Sequence, residues 1–109
     1  MRFVMYFGHE KLDCFRLTVK VGHWLKASEF PRGDANLKEQ ALRAIRSVGL
    51  NIAEGCGRGE GKASKNHFNI ARGSAAEVSA VLDFVHLNGA GEQQDRLRRI
   101  NAMLFRMSR

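Results

Sequence analysis

The stretch ANLKEQALRAIRSVGLNIAE, residues 35–54, decides the fold. Its apolar side chains recur at steps of three and four residues, which is the spacing of one face of an α-helix. The residues of that face are Leu37, Ala41, Ala44, Ile45, Val48 and Ile52. Asp34 stands directly before the stretch, at a position where an N-cap residue is favoured. We therefore expect a helix with one face buried in a core.

Three further segments show the same period, and glycines or Pro31 separate them. The expected helices cover about residues 10–27, 35–54, 64–87 and 92–107. Gly55 is expected to break the second helix after Glu54, and Ser64 to cap the start of the third. No segment alternates as a half-buried strand does. The sequence predicts a single all-α domain over residues 1–109, an antiparallel up-and-down four-helix bundle.

The composition excludes several classes of protein. A chain of 109 residues suits one packed domain rather than two. No apolar run approaches the ~20 residues of a membrane span, so we expect no membrane association. Cys14 and Cys56 are too few for a disulfide framework or a four-ligand zinc site, and we expect reduced thiols in a cytoplasmic protein. The net charge of +7 favours a polyanion such as RNA or DNA as partner.

The first helix carries more apolar surface than one core face needs. Beside its core stripe runs a second stripe of Leu12, Phe15 and Val19. In the second helix Leu42 and Leu50 also project away from the core face. A helix in a monomeric bundle needs a narrower apolar arc, so we expect the chain to form a homo-oligomer.

Small and polar residues border the core face of the second helix and recur on the third. We expect a structural polar network that fixes the helix register. Its predicted members are Gln40, Ser47, Asn51, Glu54, Ser74 and Glu77. Paired carboxylates such as Glu54 and Glu77 could instead perform acid–base catalysis if burial raised the pKa of one of them. No nucleophile, metal pair or phosphate loop accompanies them in the sequence, so we favour the structural interpretation and expect no catalytic residue.

The segment GCGRGEGKASK, residues 55–65, combines glycines with cations. A Walker loop would need Gly at position 56 and Ser or Thr at position 63, where Cys and Ala stand. The segment is therefore either an unspecific phosphate-contact loop or a plain interhelical loop.

The remaining histidine and aromatic residues indicate packing rather than chemistry. The histidines lack the spacing of metal ligands, and we expect neither a metal nor a cofactor. We interpret His67 as a packed, hydrogen-bonded residue. No basic–aromatic interleaving surrounds the phenylalanines, so we interpret them as core or interface anchors rather than base-stacking platforms.

Two signatures resemble those of a known family. NIAEGCGR, residues 51–58, is similar to an Asn-Ile-Ala-Glu-Gly turn followed by Gly-Arg, and IARGSAAE, residues 70–77, is similar to Ile-Ala-x-Gly-Ser-x-x-Glu. The chain thus resembles the four-helix bundle proteins encoded in intervening sequences of bacterial 23S ribosomal RNA. These are related to the accessory variability determinant of diversity-generating retroelements. Gly49, where the family often has Pro, and His67, where an aromatic residue is usual, depart from the pattern.

The resemblance implies a four-helix bundle that assembles as a homopentameric ring and has no known catalytic activity. In the retroelement relatives a basic ring surface binds nucleic acid and a reverse transcriptase. Taken with the charge, this predicts a non-enzymatic oligomer whose basic surface contacts RNA or DNA backbones. The candidate contacts are Arg43, Arg46, Arg58, Lys62, Lys65, Arg72, Arg96, Arg98, Arg99 and Arg106. The alternative is a protein–protein interaction scaffold with no role in nucleic-acid binding.

Overall fold

The computed structural model describes residues 5–109, apart from the side chain of Lys11. Within this part of the chain there are four α-helices and no strand. They are α1 (Asp13–Ala27), α2 (Ala35–Gly57), α3 (Lys62–Phe84) and α4 (Ala90–Met107). Each helix packs against the two that neighbour it in a square, in the order α1, α2, α3, α4 and back to α1. The predicted all-α, up-and-down four-helix bundle is confirmed. No helix in the described residues is both long and apolar enough to cross a membrane.

The connection between α2 and α3 differs from the prediction. The expected break after Glu54 does not occur, because α2 continues through Gly55 to Gly57. The turn is made by Gly59 and Gly61, whose φ angles of 75° and 137° lie in the region that favours glycine. Helix α3 then begins at Lys62. The glycine-rich segment is therefore mostly helix, and the loop within it is short.

The predicted caps are also different in detail. Ser64 lies inside the first turn of α3, and its hydroxyl donates a hydrogen bond of 2.7 Å to the carbonyl oxygen of Gly55 across the helix pair. Asp34 does occupy the N-cap position of α2, where its backbone carbonyl accepts hydrogen bonds from Leu37 and Lys38 at 3.1 Å. Its side chain makes no cap hydrogen bond. The backbone rather than the carboxylate therefore starts α2.

The other helix ends shift by a few residues. The segment before α1 is a short 3-10 helix, Gly8–Lys11, so α1 begins at Asp13 rather than near residue 10. Helix α3 ends at Phe84 rather than near residue 87, because the backbone of Val85 is extended. Gly89 adopts a φ of 88° and starts α4 at Ala90, two residues before the predicted start.

The core lies between the four helices and contains the predicted face of α2, of which only Leu37 is half-buried. Its largest fully buried apolar side chains come from three of the helices: Leu25, Ile52, Ile100 and Leu104. Ile70 of α3 is apolar but lies outside the core and is 45% exposed. It lies one residue before the fully buried Ala71, which places it about 100° around the helix from the core side.

The closest packing between helices occurs at Gly55. A Cβ atom built there would lie 2.5, 2.8 and 2.9 Å from three ring atoms of Phe68, which is closer than non-bonded carbon atoms can approach. Phe68 is only 6% exposed and belongs to the core. The absence of a side chain at Gly55 therefore allows the Phe68 ring to lie against the backbone of α2. The second signature glycine, Gly73, has no such neighbour, since nothing lies within 4 Å of a Cβ built there.

We predict that Gly55→Ala lowers the free energy of unfolding by about 1–2 kcal/mol. The added methyl group overpacks the site at a cost of about 1–3 kcal/mol, and the better helix propensity of alanine returns at most about 1 kcal/mol. Gly73→Ala is the matched control, for which we expect a gain of up to about 1 kcal/mol because its Cβ meets open space. Urea denaturation at one fixed protein concentration measures both. Equal stabilisation by the two substitutions would show that the Gly55 contact is not limiting.

Candidate functional site

A chain of polar side chains runs along the junction of α2 and α3. The hydroxyl oxygens of Ser47 and Ser74 lie 2.8 Å apart, so one hydroxyl donates to the other. The side-chain amide of Asn51 donates to the Ser47 hydroxyl at 3.2 Å and to the Ser47 carbonyl at 2.9 Å. Nδ1 of His67 lies 2.9 Å from Oδ1 of Asn51. All four side chains are half-buried.

The acceptor determines the hydrogen position at one of these bonds. An amide oxygen only accepts, so Nδ1 of His67 carries the hydrogen in this arrangement. The Ser47 oxygen accepts from Asn51, and either the Ser47 or the Ser74 hydroxyl donates to the other. The bonds therefore link His67, Asn51, Ser47 and Ser74 in series, and the four side chains satisfy one another. This is the behaviour of a group that holds two helices in one register.

The structure brings together three of the six residues predicted for the polar network: Ser47, Asn51 and Ser74. Glu54 instead pairs with Arg58, the residue that follows α2, whose Nε lies 3.2 Å from the Glu54 carboxylate. Gln40 and Glu77 are exposed and, among the described residues, make no hydrogen bond to this series of polar side chains. In their place the network contains His67, which the sequence identified as hydrogen-bonded but did not assign to the network.

The sequence contains a signal that could have identified His67 as the partner of Asn51. Asn51 and His67 each stand eight residues from Gly59. In an antiparallel helix pair that turns at this glycine, positions equally far from the turn lie opposite each other. The pairing follows once the turn is placed at Gly59 rather than directly after Glu54.

The two carboxylates of the catalytic alternative lie at opposite ends of the polar chain. Glu54 stands one turn beyond Asn51 towards the end of α2, and Glu77 one turn beyond Ser74 towards the end of α3. Because α2 and α3 are antiparallel, Glu54 and Glu77 lie at opposite ends of this series of polar side chains and far from each other. The geometry does not form an acid–base pair.

Cys14 lies in the first turn of α1, and Cys56 lies in the last turn of α2. Burial raises the pKa of the Cys14 thiol to about 11, with a smaller contribution from the charge of Cys56, and burial also raises the pKa of Cys56. Both thiols therefore stay protonated at neutral pH, and a protonated thiol is a weak nucleophile. Among the described residues no group of three His, Cys, Asp or Glu side chains is arranged to hold a metal ion.

The candidate basic residues divide by their surroundings. Arg58, Arg96 and Arg98 pair with carboxylates three or four residues earlier in the chain, at 3.2, 3.1 and 2.8 Å. Arg72 donates to Oδ1 of Asn101 at 3.2 Å. In the part of the chain that the structure describes, no ion pair involves the other six candidates. These are Arg43, Arg46, Lys62, Lys65, Arg99 and Arg106.

The excess of positive charge is concentrated in two segments of the sequence. Residues 62–76 contain three Lys or Arg, residues 96–109 contain five Arg, and neither segment contains Asp or Glu. These eight positive charges exceed the net charge of +7, so the rest of the chain sums to −1. Hydrogen bonds join Arg72 to Asn101 and Ser79 to Gln94, which shows that α3 and α4 are antiparallel. The two segments therefore lie side by side and form one end of the bundle, which we call the basic end.

An apolar groove lies on the other side of the bundle, between α1 and α2. Its apolar lining includes Phe15, Val19, Leu42 and Leu50, with Arg46 among the polar residues beside them. Val19 is 38% and Leu50 is 69% exposed in the single chain. Val19 of the second α1 stripe and Leu50 of α2 therefore face outward as expected, whereas Leu12, Phe15 and Leu42 are half-buried and pack against the core.

Comparison with known proteins adds one finding. Residues 12–108 match the family model described as 23S rRNA-intervening sequence protein. The match begins one residue before α1 and ends one residue after α4, so it covers all four helices. A comparison with curated proteins gave no match.

We predict that Ser47 and Ser74 are energetically coupled. In a double-mutant cycle of Ser47→Ala and Ser74→Ala, the coupling energy should be about 0.5–1.5 kcal/mol, the usual net worth of one hydrogen bond. Ser79→Ala replaces Ser74→Ala in the control cycle, because Ser79 bonds to Gln94 on α4 instead. That control should be additive within about 0.5 kcal/mol. Denaturant unfolding of the variants measures both, and equal coupling in the two cycles would contradict the direct bond.

Proposed function

Because the chain belongs to the 23S rRNA-intervening sequence protein family, we propose that it is a non-enzymatic, oligomeric bundle that binds nucleic acid. RNA is the first candidate ligand, since the description of the family names a ribosomal RNA, and DNA is the second. The observation that carries the proposal is the concentration of the net charge at the basic end. The proposal keeps the cytoplasmic location expected from the two isolated cysteines, and it needs no cofactor.

The basic end suits the phosphate backbone. Arg96 and Arg98, two of its eight cations, pair with acidic residues just outside the segment, and the other six have no ion-pair partner among the described residues. The local potential is therefore more positive than the overall charge indicates. Lys62 and Lys65 lie in the first turn of α3, where unpaired backbone N–H groups and the helix dipole also favour an anion. Contacts of this kind bind phosphates without reading sequence.

The paired arginines do not argue against this function. Arg58 and its partner Glu54 are each more than half exposed, and exposed ion pairs on one helix contribute little to stability. The same holds for Arg98 and Asp95, which are about three-quarters exposed. A phosphate can therefore replace the carboxylate at small cost. The unpaired lysines of α3 need no such exchange.

Self-association through the apolar groove would multiply the charge. The groove supplies the exposed apolar surface that a subunit contact needs, and the resemblance implies a pentamer. Five copies at +7 each would carry +35, so that a weak contact per chain becomes a strong multivalent one.

The second candidate function is a protein–protein interaction scaffold with no role in nucleic-acid binding. The exposure of Phe84, 79% at the end of α3, favours it because this ring lies outside both the groove and the basic end. Pull-down from nuclease-treated lysate separates the two candidates. A partner that survives the nuclease supports the scaffold, and a partner that is lost supports a nucleic-acid bridge.

We predict that the chain binds single-stranded RNA with an affinity that falls steeply as salt rises. Lys62→Gln with Lys65→Gln should reduce the slope of log K against log salt by about 1.4, since each phosphate contact on a single strand contributes about 0.7. Fluorescence anisotropy at several salt concentrations measures the slope. Lys20→Gln with Arg32→Gln removes the same charge outside the basic end and should leave the slope nearly unchanged. Absence of binding at low salt, or an equal loss in both double variants, would contradict the proposal.

We predict an oligomer at micromolar concentration. Leu50→Arg should convert it to monomer, because the substitution places a charge in the apolar groove while the exposed position leaves the core intact. Light scattering measures the mass, and circular dichroism checks that the helices remain. Asn88→Arg, in the exposed turn before α4, adds the same charge away from the groove and should keep the oligomer. A monomeric wild-type chain would refute the prediction.

A further inference from the structure

Phe105 is an exposed aromatic residue at the basic end. It belongs to the last turn of α4, and 45% of it is exposed. The guanidinium carbon of Arg72 lies 4.9 Å from the centre of its ring, and that of Arg109 lies 5.3 Å from the same point. Sequence spacing does not predict this grouping, because Arg72 is far from Phe105 along the chain. The structure therefore places basic residues around Phe105 in space, although no basic–aromatic interleaving surrounds it in the sequence.

The two arginines are held differently. Arg72 is half-buried, and its Nε donates to Oδ1 of Asn101, so its guanidinium is fixed beside the ring. Arg109 is exposed and lies beyond the end of α4 at Met107. Within the described residues, Arg109 contacts the Phe105 ring and makes no hydrogen bond or ion pair. A ligand can therefore displace Arg109 from the ring at the loss of one exposed contact.

Further cations lie within the same surface. In the antiparallel register Arg72 lies opposite Asn101, and seven residues further Ser79 lies opposite Gln94. Seven residues in the other direction, the same register places Lys65 opposite Ser108, next to Arg109 in the chain. The Phe105 ring therefore lies between Arg72 and Arg109, and Lys65 lies two turns from Arg72 along the same side of α3.

This combination matches an unpaired base and its phosphates. A base stacks on an aromatic ring through its flat face, and cations beside the ring hold the backbone. In a duplex both faces of each base are covered by its neighbours, so the ring is useful only to a strand with unpaired bases. Cations alone would bind duplex as well, and the exposed ring is what distinguishes the two ligands.

We propose that Phe105 stacks an unpaired base of single-stranded nucleic acid, on the part of the ring that Arg109 now covers. Arg72 supports the ring, and the displaced Arg109 and Lys65 hold the adjacent phosphates. This inference rests on the proposed function and names the form of nucleic acid that the basic end takes.

The test compares three labelled probes that have the same number of phosphates per strand: a twelve-nucleotide oligoadenylate RNA, the same backbone without bases, and the duplex with oligouridylate. Phe105→Leu keeps the apolar volume and removes the aromatic face. We expect it to weaken binding of the oligoadenylate about 5- to 100-fold, the usual worth of one stacked base. Binding of the baseless strand and of the duplex should stay unchanged. Phe105→Tyr should bind the oligoadenylate as the wild type does.

Phe84→Leu is the matched control, because it removes an exposed phenylalanine outside the basic end and should not affect any probe. Circular dichroism establishes that each variant is folded. If the wild type binds all three probes with salt dependence and Phe105→Leu changes none of them, stacking is refuted while the proposed function stands. If the wild type binds no probe at low salt, the proposed function fails and the inference fails with it.

Discussion

The contact of Gly55 with Phe68 sets the spacing and the register of α2 and α3. The Phe68 ring lies where a side chain at position 55 would be, and the hydroxyl of Ser64 bonds to the Gly55 carbonyl one turn earlier on α3. Once these two contacts form, the antiparallel geometry places His67 opposite Asn51 and, further along, Ser74 opposite Ser47. The polar chain is therefore a consequence of the glycine contact. Its bonds then exclude a shifted register, because a shift would leave half-buried polar groups without partners.

The same register decides where the charge lies. A tight turn at Gly59 and Gly61 starts α3 at Lys62, at the end of the bundle where α2 stops. Helix α4 runs back along α3, so its last residues return to this end. Two segments that are far apart in the chain, each without acidic residues, become neighbours. The concentration of positive charge thus depends on the turn as much as on the composition.

The sequence predicted what depends on the helical period, and it missed what depends on contacts between helices. The four helices and their core faces follow from apolar spacing within each segment. The break after Glu54 was predicted from the cost of glycine in a helix, about 1 kcal/mol per residue. That cost is offset by the packing of Phe68 on Gly55, a contact that no local pattern shows. The place of His67 in the polar chain and the meeting of Arg72 with Phe105 were missed for the same reason.

The apolar groove and the basic end occupy different sides of the square of helices. The groove lies between α1 and α2, whereas Phe105, Arg72 and Lys65 lie on α3 and α4, the opposite pair. Self-association that buries the groove does not by itself cover the α3–α4 side of the same copy. A ring in which the neighbouring subunit also contacts another side would repeat one exposed aromatic ring and its cations around its circumference. Such an arrangement favours a long single strand over a short one, because the strand gains one stacking site per subunit without a new kind of contact.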